Sequence, residues 1–164
     1  MNDLLIACKQ RLPHILFIES KTFYWSPKKK SIYFDPLISN DQGCWALLHE
    51  SAHALLNHES YISDVGLLAL EVSAWQTAEK LGQELGNVID PDHIQDCLDT
   101  YRDWLYARST CPTCMLNSLQ ISETSYLCMN CSTKWSVSPS RFCRPYRMKD
   151  RYKKTPSEEQ KVFI

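Results

Sequence analysis

Apolar positions along the chain follow two different periods in turn. Leu4, Leu5, Ala7, Cys8 and Leu12 recur at helical spacing from Asn2 to Leu12, and Pro13 ends the run, which predicts a short first helix. Three β-branched and aromatic stretches come next, His14 to Ile18, Thr22 to Trp25 and Ser31 to Phe34, the last two joined by Ser26-Pro27-Lys28-Lys29-Lys30. They read as a small antiparallel sheet with a solvated, lysine-rich hairpin tip. Beyond Gly43 the helical period returns and runs without Gly or Pro through Leu56. It returns again from Asp64 to Leu85, where Leu67, Leu70, Ala74, Trp75, Ala78 and Leu81 lie on one stripe. A last helix is marked by Asp90 as cap, Pro91 at its first position and a stripe from Ile94 to Leu105, ending near Arg108. Helices outside a small sheet make the fold class α+β.

The second of these helices carries His49-Glu50-Ser51-Ala52-His53. Residues i and i+4 share a helix face with Cβ atoms about 5 to 6 Å apart, so both imidazoles can converge on one Zn²⁺. Glu50 is one residue off that face, where it can take a proton from the attacking water. Two histidines hold a catalytic zinc poorly, and a third protein ligand is expected. Glu71 is the candidate, because it falls inside the apolar stripe of the following helix, where a carboxylate needs a positive partner. The alternative is an edge glutamate that reaches water. Glu59 ranks low: where a metzincin chain leaves its helix at glycine, this chain has Leu56, and a continuing helix would carry Glu59 away. His58 and Asp64 are left as groups that orient a ligand or meet the transition state.

His49-Glu50-Ser51-Ala52-His53-Ala54-Leu55-Leu56, followed by Glu71-Val72-Ser73-Ala74-Trp75 and Ala78, resembles the ImmA/IrrE family of small gluzincin-type metallopeptidases. The likeness extends over about Leu12 to Leu85. It implies a helical zincin-like core, zinc on His49, His53 and Glu71, and Glu50 as catalytic base. Ser73 departs from it, since the family usually has a second acidic residue there. The resemblance also implies targets such as transcriptional repressors or regulators.

Cys111-Pro112-Thr113-Cys114 and Cys128-Met129-Asn130-Cys131 form a second pattern, the spacing of a zinc ribbon. Two such knuckles complete a closed tetrahedral Cys₄ site with no position for water, so this zinc is structural. Disulfides are the alternative. They are disfavoured because nothing at the N-terminus resembles a signal peptide or a membrane span, which also sets the expectation of a cytoplasmic protein. Cys8, Cys44 and Cys97 read as buried small hydrophobes, and Cys143 is left without a role.

Composition changes this picture in one respect. The net charge of -1 hides nine basic against sixteen acidic residues up to Cys131, and nine basic against three acidic from Ser132 onward. The basic residues, Lys134, Arg141, Arg144, Arg147, Lys149, Arg151, Lys153, Lys154 and Lys161, alternate with Trp135, Phe142, Tyr146 and Tyr152. That mixture suits nucleic acid, through phosphates and stacked bases, and equally a tail docked on the acidic half.

The sequence therefore predicts a minimal gluzincin-like domain over 1–108, a zinc ribbon over 109–147 and a basic, flexible tail over 148–164. The expected activity is hydrolysis of a protein or peptide substrate, with one catalytic and one structural zinc, and with His58, Tyr61 and Tyr24 as candidate oxyanion partners. Two other readings stand. A SprT-like protease acting on DNA-bound proteins also joins HExxH to a ribbon and basic residues, but takes a downstream histidine as third ligand, so Glu71 and His58 discriminate. The other is a non-catalytic zinc protein that binds nucleic acid or a regulator.

Overall fold

The computed structural model describes residues 1–138 and 147–150. Cys143, most of the basic and aromatic residues after Ser132, and all of the tail expected to be flexible beyond position 150 lie outside the described residues. The chain divides into two compact units, Met1–Leu105 and a second beginning at Tyr106. Among the described residues, no helix is long and apolar enough to cross a membrane.

The first unit contains α1 (Asn2–Arg11), β1 (Leu16–Glu19), β2 (Tyr24–Ser26), β3 (Ser31–Phe34), α2 (Asp41–Leu55), α3 (Asp64–Glu84) and most of α4 (Pro91–Ser109). The strands form a three-stranded sheet in the order β1-β3-β2. The expectation of a wholly antiparallel sheet is corrected here. β2 and β3 are an antiparallel hairpin, but β1 pairs with β3 in parallel, Leu16 opposite Ser31 and Glu19 opposite Phe34. The physical reason is the path between them: the chain leaves β1, crosses to the far edge as β2 and returns as β3 between the two, so the β2 segment itself forms part of the crossover that a parallel pair needs. β3 is accordingly the central strand, with Ser31, Ile32 and Phe34 buried.

The helices begin where short polar side chains satisfy their first N–H groups. Asn40 Oδ1 accepts from Gly43 N at 3.1 Å, and Ser63 Oγ accepts from Gly66 N at 3.0 Å. Gly43 is required for packing: a Cβ there would lie 1.8 Å from the carbonyl oxygen of Ile38. The core joins Leu4 and Cys8 of α1, Ile32 of β3, Leu47 and Leu48 of α2, Ala74 and Leu81 of α3, and Leu98 of α4. The α3 stripe inferred from apolar spacing divides: Ala74, Trp75, Ala78 and Leu81 enter this core, while Leu67 and Leu70 do not.

In the second unit the sheet runs β4 (Leu119–Ser122), β5 (Ser125–Leu127), β6 (Lys134–Val137) and β7 (Arg147–Lys149), in that order and antiparallel throughout. The sheet thus extends two residues past the expected boundary at Arg147. The division between units falls inside α4, ahead of Arg108, and the contacts of that residue explain why. Its buried guanidinium donates to the carbonyl oxygens of Glu123 and Ser138, while its own carbonyl accepts from Trp135 Nε1 at 3.0 Å. Trp135 is fully buried and its ring lies nearly parallel to that of Tyr126.

Candidate metal centres

Among the described residues, metal-binding side chains converge at two places, His49 with His53 and Glu71, and Cys111 with Cys114, Cys128 and Cys131. Either group could hold a metal ion.

The first group is assembled by α2 and α3. Helical spacing places His49 and His53 one turn apart with their Nε2 atoms 3.1 Å from each other. Glu71, buried on the facing stripe of α3, brings Oε2 to 3.2 Å from His49 Nε2 and Oε1 to 3.7 Å from His53 Nε2. Donors bound to one tetrahedral ion at about 2.0 to 2.1 Å stand about 3.3 to 3.4 Å apart; the Nε2–Nε2 and His49–Oε2 separations fall a little short of that value, and the second Glu71 oxygen, Oε1, lies a little beyond it from His53. Glu71 Oε2, though buried and close to His49, makes no hydrogen bond. A buried carboxylate oxygen in that condition is costly in a finished hydrogen-bonded pair and expected in an ion's coordination shell. The donor set therefore fits a small divalent cation of the zinc class. Burial alone would raise the Glu71 carboxyl, but the two imidazoles beside it outweigh burial and hold the group down to about 2, so it is a carboxylate at neutral pH.

The two histidines are held by different devices. Trp75 stacks on the His49 ring, 4.1 Å centroid to centroid with the planes 30° apart. His53 Nδ1 meets His58 Nδ1 at 2.9 Å, and His58 Nε2 in turn lies 3.4 Å from Ser73 Oγ. His58 arrives there because α2 ends in a left-handed residue, Asn57 at φ 52. That turn lets His58 N donate to His53 O at 3.0 Å, folding the chain back over the helix it has just left. The expectation that the helix would simply run on past Leu56 missed this. Asn is, after Gly, the residue best suited to the left-handed C-terminal position, and Asn57 was the available signal.

Glu50 lines the same cleft as the three donors, a space of about 240 Å³ also bounded by Tyr24, Trp25, Tyr61, Leu67 and Leu70. Its Oε2 accepts the main-chain N–H of Trp25 at 2.7 Å. Burial raises the Glu50 carboxyl above the usual carboxylate range, against the lowering influence of His49, His53 and the Trp25 N–H. The contact with Trp25 was not foreseeable from the motif, because it depends on β2 being an edge strand whose N–H points away from β3. Glu59 and Tyr61 reach the cleft wall, and Asp64 is buried at the start of α3.

The second group has an internal symmetry. Cys111 N donates to Leu116 O and Met115 N to Cys111 O, and Cys128 N donates to Thr133 O and Ser132 N to Cys128 O. Both turns close through a left-handed residue directly after the second cysteine, Met115 at φ 63 and Ser132 at φ 55. Such strain in non-glycine residues persists where the surroundings fix it. The turns aim N–H groups at sulfur. Backbone N–H donation, first from Cys131, pulls the Cys128 thiol down to about 6, and N–H groups of Cys114 and Thr113 lower Cys111 against its burial. Cys111 and Cys131 Sγ lie 3.6 Å apart, and Cys114 and Cys128 Sγ 3.4 Å apart. These exceed an S–S bond of about 2.05 Å and come near the roughly 3.8 Å edge of a tetrahedron with 2.3 Å metal–sulfur bonds. All seven described cysteines are free thiols.

Comparison with protein families, with curated proteins and with solved structures finds no match to this chain.

Proposed function

We propose that this chain is a zinc-dependent endopeptidase, with His49, His53 and Glu71 as ligands of the catalytic ion, Glu50 as general base, and a structural zinc on Cys111, Cys114, Cys128 and Cys131. The observation that carries the reading is the approach of two Nε2 atoms and one buried carboxylate to within 3.1 to 3.7 Å of one another, on the wall of a cleft that also presents Glu50. The resemblance of the HExxH and Glu71 segments to ImmA/IrrE peptidases points the same way.

Zinc, when bound, supplies Lewis acidity that makes water a nucleophile and polarises the scissile carbonyl. Glu50 takes the proton of that water and passes it to the leaving amine. A carboxyl raised by burial is a better proton acceptor than an exposed one, and the Trp25 N–H holds one of its oxygens in place. Leu67, Leu70 and Tyr61 make the cleft wall largely apolar beside the reacting groups, which favours a peptide carrying an apolar side chain there. β2 is an edge strand next to the site, so an extended substrate can add to it through main-chain hydrogen bonds. Tyr24 and Tyr61 line the cleft wall and are the residues whose hydroxyls can serve a developing oxyanion, whereas both ring nitrogens of His58 are engaged by His53 and Ser73.

A SprT-like arrangement with a histidine as third ligand is less favoured. His58 meets the Nδ1 edge of His53, and the Nε2 edge is the one that faces His49 and Glu71. Regulators as substrates, and nucleic acid as a partner of the basic segment, follow from resemblance and composition alone.

The test is zinc content and peptide cleavage measured on wild type and Glu50→Gln. Two zincs per chain are expected in both. Cleavage of a random-sequence peptide library, read by mass spectrometry, should fall by about 10² to 10⁴ in the variant. Equal cleavage by both would remove Glu50 from the mechanism, and a single zinc in wild type would leave only the cysteine site.

A further inference from the structure

The contacts around His58 have a direction, set by counting protons. Ser73 Oγ donates its one proton to the carbonyl oxygen of Leu70 at 2.9 Å. Towards His58 Nε2, 3.4 Å away, Ser73 can then only accept, so Nε2 carries the hydrogen. A neutral imidazole with its proton on Nε2 has a bare Nδ1. That atom faces His53 Nδ1 at 2.9 Å, a contact that requires a proton on the His53 side. His53 is thereby left with a bare Nε2, the atom that faces His49 Nε2 and Glu71. We infer that His58 and Ser73 are positioning residues that set the tautomer of His53, presenting its Nε2 lone pair to the metal before any metal arrives.

The inference rests on the metal-site reading proposed above. It also gives Ser73 a defined role. Serine gives the relay a terminus that accepts one hydrogen bond and passes its own proton onward to the backbone, so the direction of the whole chain is defined. A mis-set tautomer would put N–H where the lone pair is needed, and the ring would have to exchange its proton before binding.

His58 is suited to a side-chain test because its main chain is tied independently of its ring. Its N–H donates to His53 O, and its carbonyl accepts from Trp25 Nε1 at 2.9 Å. The variants are His58→Leu, which removes the acceptor, His58→Asn, whose side-chain oxygen can stand near the Nδ1 position, and Ser73→Ala. Zinc affinity of the full chain is measured by competition with a chelator, the cysteine site serving as internal control.

Leu at position 58 should weaken zinc at the histidine site by about 10- to 100-fold, the usual range for loss of such a partner. Asn should recover most of that loss, and Ala at position 73 should fall between wild type and Leu. Wild-type affinity in His58→Leu would overturn the inference while leaving the metal site standing. Equal weakening by Leu and Asn would also overturn it, since the ring's bulk and not its acceptor would then matter. A wild type that holds zinc only at its cysteines would sink the metal-site reading itself, and the relay with it.

Discussion

Glu71→Gln tests the first metal centre with the least disturbance of shape. Glutamine keeps the volume of a buried side chain and removes the charge that lies between two imidazoles. Four-ligand zinc sites are worth about 10 to 16 kcal/mol, so an even share is about 2.5 to 4 kcal/mol per ligand, with a middle value near a few hundredfold in affinity. At free zinc about a hundred times the wild-type Kd, binding stabilises the folded state by about 2.7 kcal/mol. For a unit the size of Met1–Leu105, about 4 to 8 °C per kcal/mol converts this into a rise of roughly 10 to 20 °C in Tm. The variant, with its Kd a few hundredfold weaker, retains about 0.2 kcal/mol under the same conditions, close to 1 °C. Calorimetric scans with and without zinc, together with zinc counted per chain, read both quantities. A variant that still holds two zincs and still gains 10 °C or more would refute the placement of Glu71 in the coordination shell.

Two further perturbations follow from packing and from the second centre. Gly82→Ala places a Cβ 2.4 Å from the carbonyl oxygen of Asn87 and 3.2 Å from Leu48 Cδ1, so it should destabilise by about 1 to 3 kcal/mol in urea unfolding although alanine is the better helix former; an unchanged midpoint would show that the segment after α3 yields. Cys128→Ser should remove one zinc and abolish the near-ultraviolet dichroism that Trp135 and Tyr126 gain from fixed packing, leaving the histidine site loaded; two zincs in this variant would exclude a Cys₄ site.

The sequence by itself determined the parts whose geometry is local. His49 and His53 share a face in any helix, because the period of the backbone puts residues four apart over one another. The same holds for each Cys-x-x-Cys turn, which reaches its own metal-binding shape within six residues. Glu71 was legible less directly, from the mismatch of a carboxylate inside an apolar stripe, and it does come to the histidines. The helix limits at Pro13, Asp90 and Pro91 followed from a breaker, a cap and a first-position proline, whereas the caps at Asn40 and Ser63 emerged from the structure.

Only the tertiary structure decided the rest. Whether β1 runs parallel or antiparallel to β3 depends on which edge the chain crosses to, and alternating side chains look the same either way. The Trp25 N–H reaches Glu50 because β2 happens to be the edge strand nearest α2. Trp75 reads in sequence as one more core residue and becomes the wall against His49 once α3 lies beside α2. The turn at Asn57 reverses the chain by a single left-handed residue, and from that reversal come the His58 contact and the chain of hydrogen bonds that ends at Ser73. Spacing specifies which residues can act together within one helix or turn. Which groups orient them is settled by contacts between segments far apart in sequence, and no local periodicity carries that information.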